Sequence, residues 1–171
     1  MNNIVKATTV DAEILAKLSV EAFMPAHGHS SPKKDIESYI FNNFSVENLR
    51  EELSDASNEY YLIYYNNKIA GFSKVIFNSS NENLDSKNIT KMERLYLLKE
   101  YYGLNLGVEL FNFNVVLSQK NNQAGIWIEV WIENGRAISF YSKMGMKKIG
   151  LYNFKVSETH SNPNYVMYQE Y

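Results

Sequence analysis

The stretch that decides the fold is Met92-Glu93-Arg94-Leu95-Tyr96-Leu97-Leu98-Lys99-Glu100-Tyr101-Tyr102-Gly103-Leu104-Asn105-Leu106-Gly107-Val108. It opens as a strand that runs over Ile89–Leu97, rich in strand formers. A short turn follows, and from about Leu106 to Lys120 the apolar residues repeat at helical spacing. A turn of small residues that opens a helix aims several backbone N–H groups at one point, and the helix dipole adds partial positive charge there. Such a corner suits a phosphate or pyrophosphate. Gly103 and Gly107 also suit a second reading, as a capping glycine and a close-packing glycine, and these residues alone leave both open.

Outward from that stretch the chain alternates strand and helix. Ile4–Ala7 reads as a first strand, and Thr9 as the N-cap of a helix carrying Ile14, Leu15, Leu18, Ala22 and Phe23. Pro25 and Gly28 are expected to end it, before a polar loop that reaches Pro32. A second helix spans about Lys33–Asn43, and Ser45 can cap a third segment over Val46–Leu53. Glu59–Tyr65 and Lys68–Phe77 form a hairpin around Asn66-Asn67, residues that tolerate the positive φ of a tight turn. Gly71 suggests a bulge. Downstream, Ile126–Ile132 is almost continuously apolar and so is expected to be buried on both faces. Asn134-Gly135 leads into a helix that ends near Met144, where Gly145 suits the position just past the end. Met146–Val156 and Asn164–Tyr171 close the chain as strands, the last with an exposed edge that could join two copies in a homodimer. The order predicts an α/β (α+β) fold: a mixed, mostly antiparallel sheet of about seven strands flanked by helices, in one domain over 1–171.

Composition narrows the function. The chain has 171 residues, with 17 Lys+Arg against 19 Asp+Glu for a net charge of −2, and it lacks cysteine. Disulfides, thiolate metal sites and a cysteine nucleophile are thereby excluded. Near-neutral charge gives no electrostatic reason to expect nucleic acid as a partner. No apolar run approaches the roughly 18 residues of a membrane span. Met1–Lys6 lacks the apolar core of a secretion signal. The expectation is a cytoplasmic domain with no membrane partner.

Several residues carry chemistry. Glu93 is a carboxylate on a central strand, so it is either ion-paired or lines a site, with Met92 and Arg94 expected on the opposite face. In Asn134-Gly135-Arg136-Ala137-Ile138-Ser139-Phe140-Tyr141, Asn134 stands where an N-cap belongs. Phe140 and Tyr141 fall on adjacent helix faces. Tyr141 is a proton donor if it points into a cleft, and a packing residue otherwise. His27 and His29 flank Gly28, but no third metal ligand is indicated, and a loop beside the acceptor is the simpler reading.

Taken together, the two turn-and-helix segments resemble the GNAT N-acetyltransferase superfamily, over roughly residues 3 to 171. The first signature of that family matches Tyr102-Gly103-Leu104-Asn105-Leu106-Gly107. The second matches Asn134, Ala137, Phe140-Tyr141 and Gly145-Met146. The resemblance implies a GNAT-like fold and acetyl-CoA as co-substrate, with no metal. It implies that the backbone of Leu95, Tyr96 and Leu97 pairs with the pantetheine arm. It implies that backbone N–H groups of Gly103, Leu104, Asn105, Leu106, Gly107 and Val108 hold the pyrophosphate, and that Asn134 contacts the cofactor arm. Tyr141 then protonates the departing thiolate, while Glu93 takes the amine's proton directly or through water. Two positions depart from the pattern: Tyr102 replaces Gln or Arg, and Asn105 replaces a glycine.

Within the superfamily, Asn48–Leu53, Lys68–Phe72 and Met92–Leu97 are most similar to the bacterial spermidine/spermine N-acetyltransferase type. That likeness implies a polyamine or another small primary amine as acceptor, with Glu47, Glu51, Glu52 and Asp55 placed to attract a polycation. A protein or peptide N-acetyltransferase is one alternative. A non-catalytic acyl-CoA-binding regulatory protein is the other, kept open by Asn105.

Overall fold

A computed structural model describes residues 3–171. Its strands are β1 (Asn3–Lys6), β2 (Asn58–Tyr65), β3 (Lys68–Ile76), β4 (Thr90–Leu97), β5 (Gly125–Trp131), β6 (Lys147–Lys155) and β7 (Ser161–Glu170). Its helices are α1 (Ala12–His27), α2 (Lys33–Phe44), α3 (Val46–Ser54), α4 (Leu106–Lys120) and α5 (Gly135–Lys143). The strands form one seven-stranded sheet in the order β1-β2-β3-β4-β5-β7-β6. All neighbours are antiparallel except β4 and β5. The expected fold class is therefore the observed one. No helix among the described residues is long and apolar enough to cross a membrane.

Local chemistry sets most boundaries. Asn66 and Asn67 turn the β2–β3 hairpin with φ of 47° and 62°, both in the left-handed region. Ser45 Oγ accepts from the Asn48 N–H and starts α3. The first helix starts later than expected and ends at Gly28 as expected. Thr8 and Asp11 form a capping box on a short 3-10 turn, so Asp11, not Thr9, precedes α1. Pro25 lies inside the last turn, and the helix continues to His27. A proline there forfeits one N–H bond but leaves the next turn intact.

Helices cover both faces. Leu15, Leu18 and Leu49 of α1 and α3 pack on Tyr60, Leu62 and Phe72. On the other face, Phe111 of α4 and Tyr141 of α5 pack with Met92, Ile126 and Ile128. Trp127 of β5 belongs to a further cluster with Ile89 and Val166, so β5 is buried on both sides as its sequence suggests. The last strand is not an edge. β7 lies between β5 and β6, and the exposed edge belongs to β6. The closing hairpin folds back, so that β7 pairs on both sides.

Two irregularities matter for the site. Beside Gly71 the β2–β3 register passes from Ile63↔Gly71 to Tyr64↔Ile69, leaving Ala70 as an extra residue. Across β3–β4 the register passes from Lys74↔Arg94 to Val75↔Met92, so Glu93 is the extra residue of a second bulge. The expectation that Arg94 faces away from Glu93 is thereby corrected. Met92 packs beneath α4. Arg94 lies over the Phe44 ring of α2, 5.1 Å from its centroid. Glu93 approaches Lys74 and Arg94 on that same side.

Gly71 is required by close approach. A Cβ there would fall on the Tyr96 carbonyl and 2.9 Å from Leu97 Cα, atoms of backbone that cannot swing aside. Gly71→Ala is expected to lower unfolding free energy by about 3 kcal/mol or more. Gly135→Ala, where an added Cβ meets nothing within 4 Å, is expected to be nearly neutral. Urea unfolding of both variants makes the comparison.

Candidate active site

β4 and β5 pair only through Thr90↔Ile126 and Lys91↔Trp127. Beyond Lys91 they part, and the side of β4 that faces β5 has no strand partner. The gap opens into a cleft of about 1220 Å³. Glu93, Arg94, Leu95, Tyr96 and Leu97 line one wall, and Ile128, Glu129, Val130 and Trp131 the other. The N-terminal ends of α4 and α5 frame one end of the cleft. The α1–α2 loop and the β6–β7 hairpin frame the other.

At the helix end, Gly103 has φ 83° and Asn105 has φ 60°. Asparagine adopts this left-handed backbone more readily than other side chains do. The turn therefore forms despite the departure from glycine. Leu106 is fully buried with Ile63, Ala70 and Leu110, which fixes the start of α4. The first amides of α4 have no partner within the helix, as at any helix start. Of the six turn residues Gly107 lines the cleft, while Gly103, Leu104, Asn105, Leu106 and Val108 lie outside its lining. Opposite, Asn134 Oδ1 accepts from the Ala137 N–H at 3.1 Å and caps α5. Asn134 also lines the cleft.

Sequence reasoning missed Arg136. Its guanidinium stacks on the Tyr102 ring, 3.3 Å from the centroid, bridging the two helix starts. The signal was present in the unusual Tyr102 and in an arginine one residue into α5.

Tyr141 is buried and lines the cleft, with Phe140 5.1 Å and Phe111 6.3 Å away between centroids. Burial pushes its phenol up from the ordinary tyrosine value, so it stays protonated at neutral pH. Glu93 also lines the cleft but is not isolated. Lys74 Nζ sits 2.5 Å from its Oε2 and 2.8 Å from Glu52 Oε2. Arg94 contacts Glu52 at 3.4 Å, Glu93 at 3.9 Å and the Tyr60 hydroxyl at 2.5 Å. Tyr60 also donates to Glu52. Burial works against ionisation of Glu52, but Arg94 and Lys74 together hold its carboxyl below the usual glutamate range. Two cations and two carboxylates thus compensate each other under the cleft floor. The sequence groups Glu52 with Glu47, Glu51 and Asp55 as an attractor for a polycation, because Lys74 and Arg94 are distant along the chain.

At the other end of the cleft His27 stacks on Phe23 at 4.9 Å and stands 6.3 Å from Tyr96 and 6.2 Å from Trp131. His29 lies 5.4 Å from Trp131. Among the described residues no group of three or more His, Asp or Glu side chains is arranged to hold a metal ion. The hairpin closes over this end. Asn162 Nδ2 donates to Ser31 Oγ at 3.2 Å, Phe154 meets Tyr39 edge-on at 5.9 Å, and Val156 packs on Phe23, Ile36 and Phe44.

The geometry has counterparts. The model of the acetyltransferase (GNAT) family matches residues 19–146. An uncharacterised N-acetyltransferase from the pepI 3′ region of Lactobacillus delbrueckii subsp. lactis is 23% identical over 156 residues, covering 91% of this chain and 90% of that protein. The structure of PaiA N-acetyltransferase from Thermoplasma acidophilum in complex with coenzyme A is similar with a TM-score of 0.78 and 22% identity, over 100% of this chain and 99% of that one. The ribosomal-protein-S18-alanine N-acetyltransferase from Escherichia coli is similar at TM-score 0.71 and 17% identity, over 99% and 94%. The chain belongs to the GNAT acetyltransferase family and is an N-acetyltransferase with acetyl-CoA as co-substrate. The likeness to the spermidine/spermine type gains no support from these relatives.

Burial, and then the nearby His29, push His27 down from its ordinary 6.5 to about 4. The unfolded chain takes up a proton near pH 6.5, the folded one only near pH 4. Stability from this residue is therefore complete above pH 6.5 and is lost as pH falls towards 4. We expect wild type minus His27→Phe to lose on the order of 2–4 kcal/mol of unfolding free energy across that window. Urea titrations of both proteins at pH 7 and pH 4 read the difference.

Proposed function

We propose that the acceptor is a small-molecule primary amine and that the acetyl group passes to it directly. The observation that carries this reading is the closure of the acceptor end by the β6–β7 hairpin on α1 and α2, through Asn162–Ser31 and Phe154–Tyr39. A peptide would need an open groove at that end. Acetyl-CoA supplies an acetyl group activated as a thioester. The unpaired side of β4 at Leu95, Tyr96 and Leu97 suits a pantetheine arm laid alongside as an extra strand. The amides of Leu106, Gly107 and Val108, in a turn shaped by Gly103, Leu104 and Asn105, suit a pyrophosphate. Asn134 holds the start of α5 in place beside it.

The amine is cationic at neutral pH and must lose a proton to become a nucleophile. Glu93 is the carboxylate on the cleft wall that can take it, directly or through water. Lys74 fixes where that carboxylate stands. Tyr141 is a donor throughout the physiological range. In its buried setting it stabilises the departing sulfur by a hydrogen bond and need not surrender its proton beforehand. Without cysteine, direct transfer within a ternary complex needs no acyl-protein step.

A polyamine falls within the small-amine reading, but the carboxylates invoked for it, Glu47, Glu51, Glu52 and Asp55, do not line the cleft. The formed turn at Asn105 removes the reason to prefer a non-catalytic CoA-binding protein. A cytoplasmic setting without nucleic-acid or membrane partners belongs to the same proposal. A homodimer built through a sheet edge would use β6.

An acetyl-CoA consumption screen over polyamines, amino sugars, amino acids and peptides tests the acceptor. We expect turnover with small amines, intersecting double-reciprocal plots, and none with peptides. Peptides as sole substrates, or a stable acetyl-protein, would refute the reading. Tyr141→Phe is expected to lower kcat by about 100-fold while CoA affinity by calorimetry changes less than about threefold.

A further inference from the structure

We propose that the acceptor amine is borne on an aromatic ring or a comparably flat apolar body, seated against Phe23, Tyr39, Tyr96, Trp131 and Phe154, and is not an extended polycation. This rests on the small-amine reading and narrows it.

Five elements each send a ring to the acceptor end: Phe23 from α1, Tyr39 from α2, Tyr96 from β4, Trp131 from β5 and Phe154 from β6. Phe23 and Tyr39 stack at 5.3 Å, and Tyr39 carries the contact on to Phe154 at 5.9 Å. His27 joins Phe23 to Tyr96 and Trp131 across the parted strands. Held neutral by burial, it adds a flat, uncharged surface to the wall. Rings arranged edge to face accept another ring with gain beyond area alone.

The cleft is lined by five carboxylates, Asp35, Glu93, Glu129, Glu133 and Glu158, and by five cations, Lys91, Arg94, Lys99, Arg136 and Lys155. Lys91 pairs with Glu129 at 3.4 Å, and Lys155 with Glu158 at 2.8 Å. Glu93 is held by Lys74. Carboxylates paired in this way leave a polycation little field to fall into beside the aromatic wall. A single ammonium needs only Glu93.

In the transfer, the amine nitrogen forms the new C–N bond to the acetyl carbon as the C–S bond breaks. The ammonium first gives one proton to Glu93; as the amide forms the nitrogen sheds a second, which replaces the proton that Tyr141 passes to the departing sulfur, so the sulfur ends as a thiol and no other reactant is needed.

The experiment follows thiol release from acetyl-CoA with phenethylamine and tryptamine against putrescine, spermidine and an alanine-initiated tripeptide. We expect kcat/KM for the two aromatic amines to exceed that for the polyamines by about 30-fold or more. Trp131→Leu should raise the KM of the aromatic amines about tenfold, a larger factor than for putrescine. Tyr39→Leu, on the opposite wall, serves the same purpose should Trp131→Leu not fold. Spermidine or putrescine favoured over the aromatic amines, or variants that weaken every amine equally, would overturn this inference and leave the small-amine reading standing. Turnover of the peptide alone, or of no amine by a protein that still binds acetyl-CoA, would overturn both.

Discussion

The structure depends on a failure of strand pairing. β4 and β5 are held together at Thr90 and Lys91 and nowhere beyond. The bulge at Glu93 comes where β4 leaves its neighbour. A bulge bends its strand and sharpens its twist, so the departure is built into the chain. The backbone groups along the free side of β4 would be costly if simply buried. They face a cleft instead, where an extended ligand can pair with them. The same bulge turns Glu93 and Arg94 to one side and gathers the charges beneath the acceptor end.

That gathering has a cost. Taking Lys74, Arg94, Glu52 and Glu93 out of water is unfavourable for each alone, and mutual pairing with the Tyr60 hydroxyl offsets it. Removing one member would leave an uncompensated buried charge, a loss of about 3–5 kcal/mol. A bland apolar core would serve stability at least as well. The arrangement gains a carboxylate held at a fixed place on the cleft wall, with its charge balanced so that it neither repels nor traps what enters. The ion network therefore belongs more to the geometry of the site than to the stability of the sheet.

How much of this the sequence revealed depends on the range of the interactions. Asn66-Asn67, the Ser45 cap, the Asn134 cap and the start of α4 at Leu106 are local, and each was read within a residue or two. The apolar run of β5 announced its burial on both faces. The bulge at Glu93 was invisible, because it arises from how β3 and β4 register and not from anything in Met92-Glu93-Arg94. The wrong face for Arg94 and the grouping of Glu52 with polycation-attracting carboxylates follow from that single omission. The edge misassigned to the last strand has the same cause, since only the return of the closing hairpin decides which of two late strands lies outside. Pro25 misleads in a different way: it removes one hydrogen bond, but the packing of Phe23 and His27 carries the helix past it.

The two ends of the cleft differ in what they are made of, and this explains what likeness to other proteins can carry. In the reading proposed above, the donor end is built of backbone, from the unpaired side of β4 and the first amides of α4. Any sequence that keeps this topology keeps those backbone groups, and the topology is shared at 22% identity. Tyr102 and Asn105 can depart from the family pattern because neither changes those backbone groups. The acceptor end is built of side chains delivered by α1, α2 and the closing hairpin, elements whose residues the fold leaves free. Its rings and balanced charges come from this chain's own sequence. The specificity of the enzyme therefore has to be argued from Phe23, Tyr39, Trp131 and their neighbours, and no degree of fold similarity stands in for them.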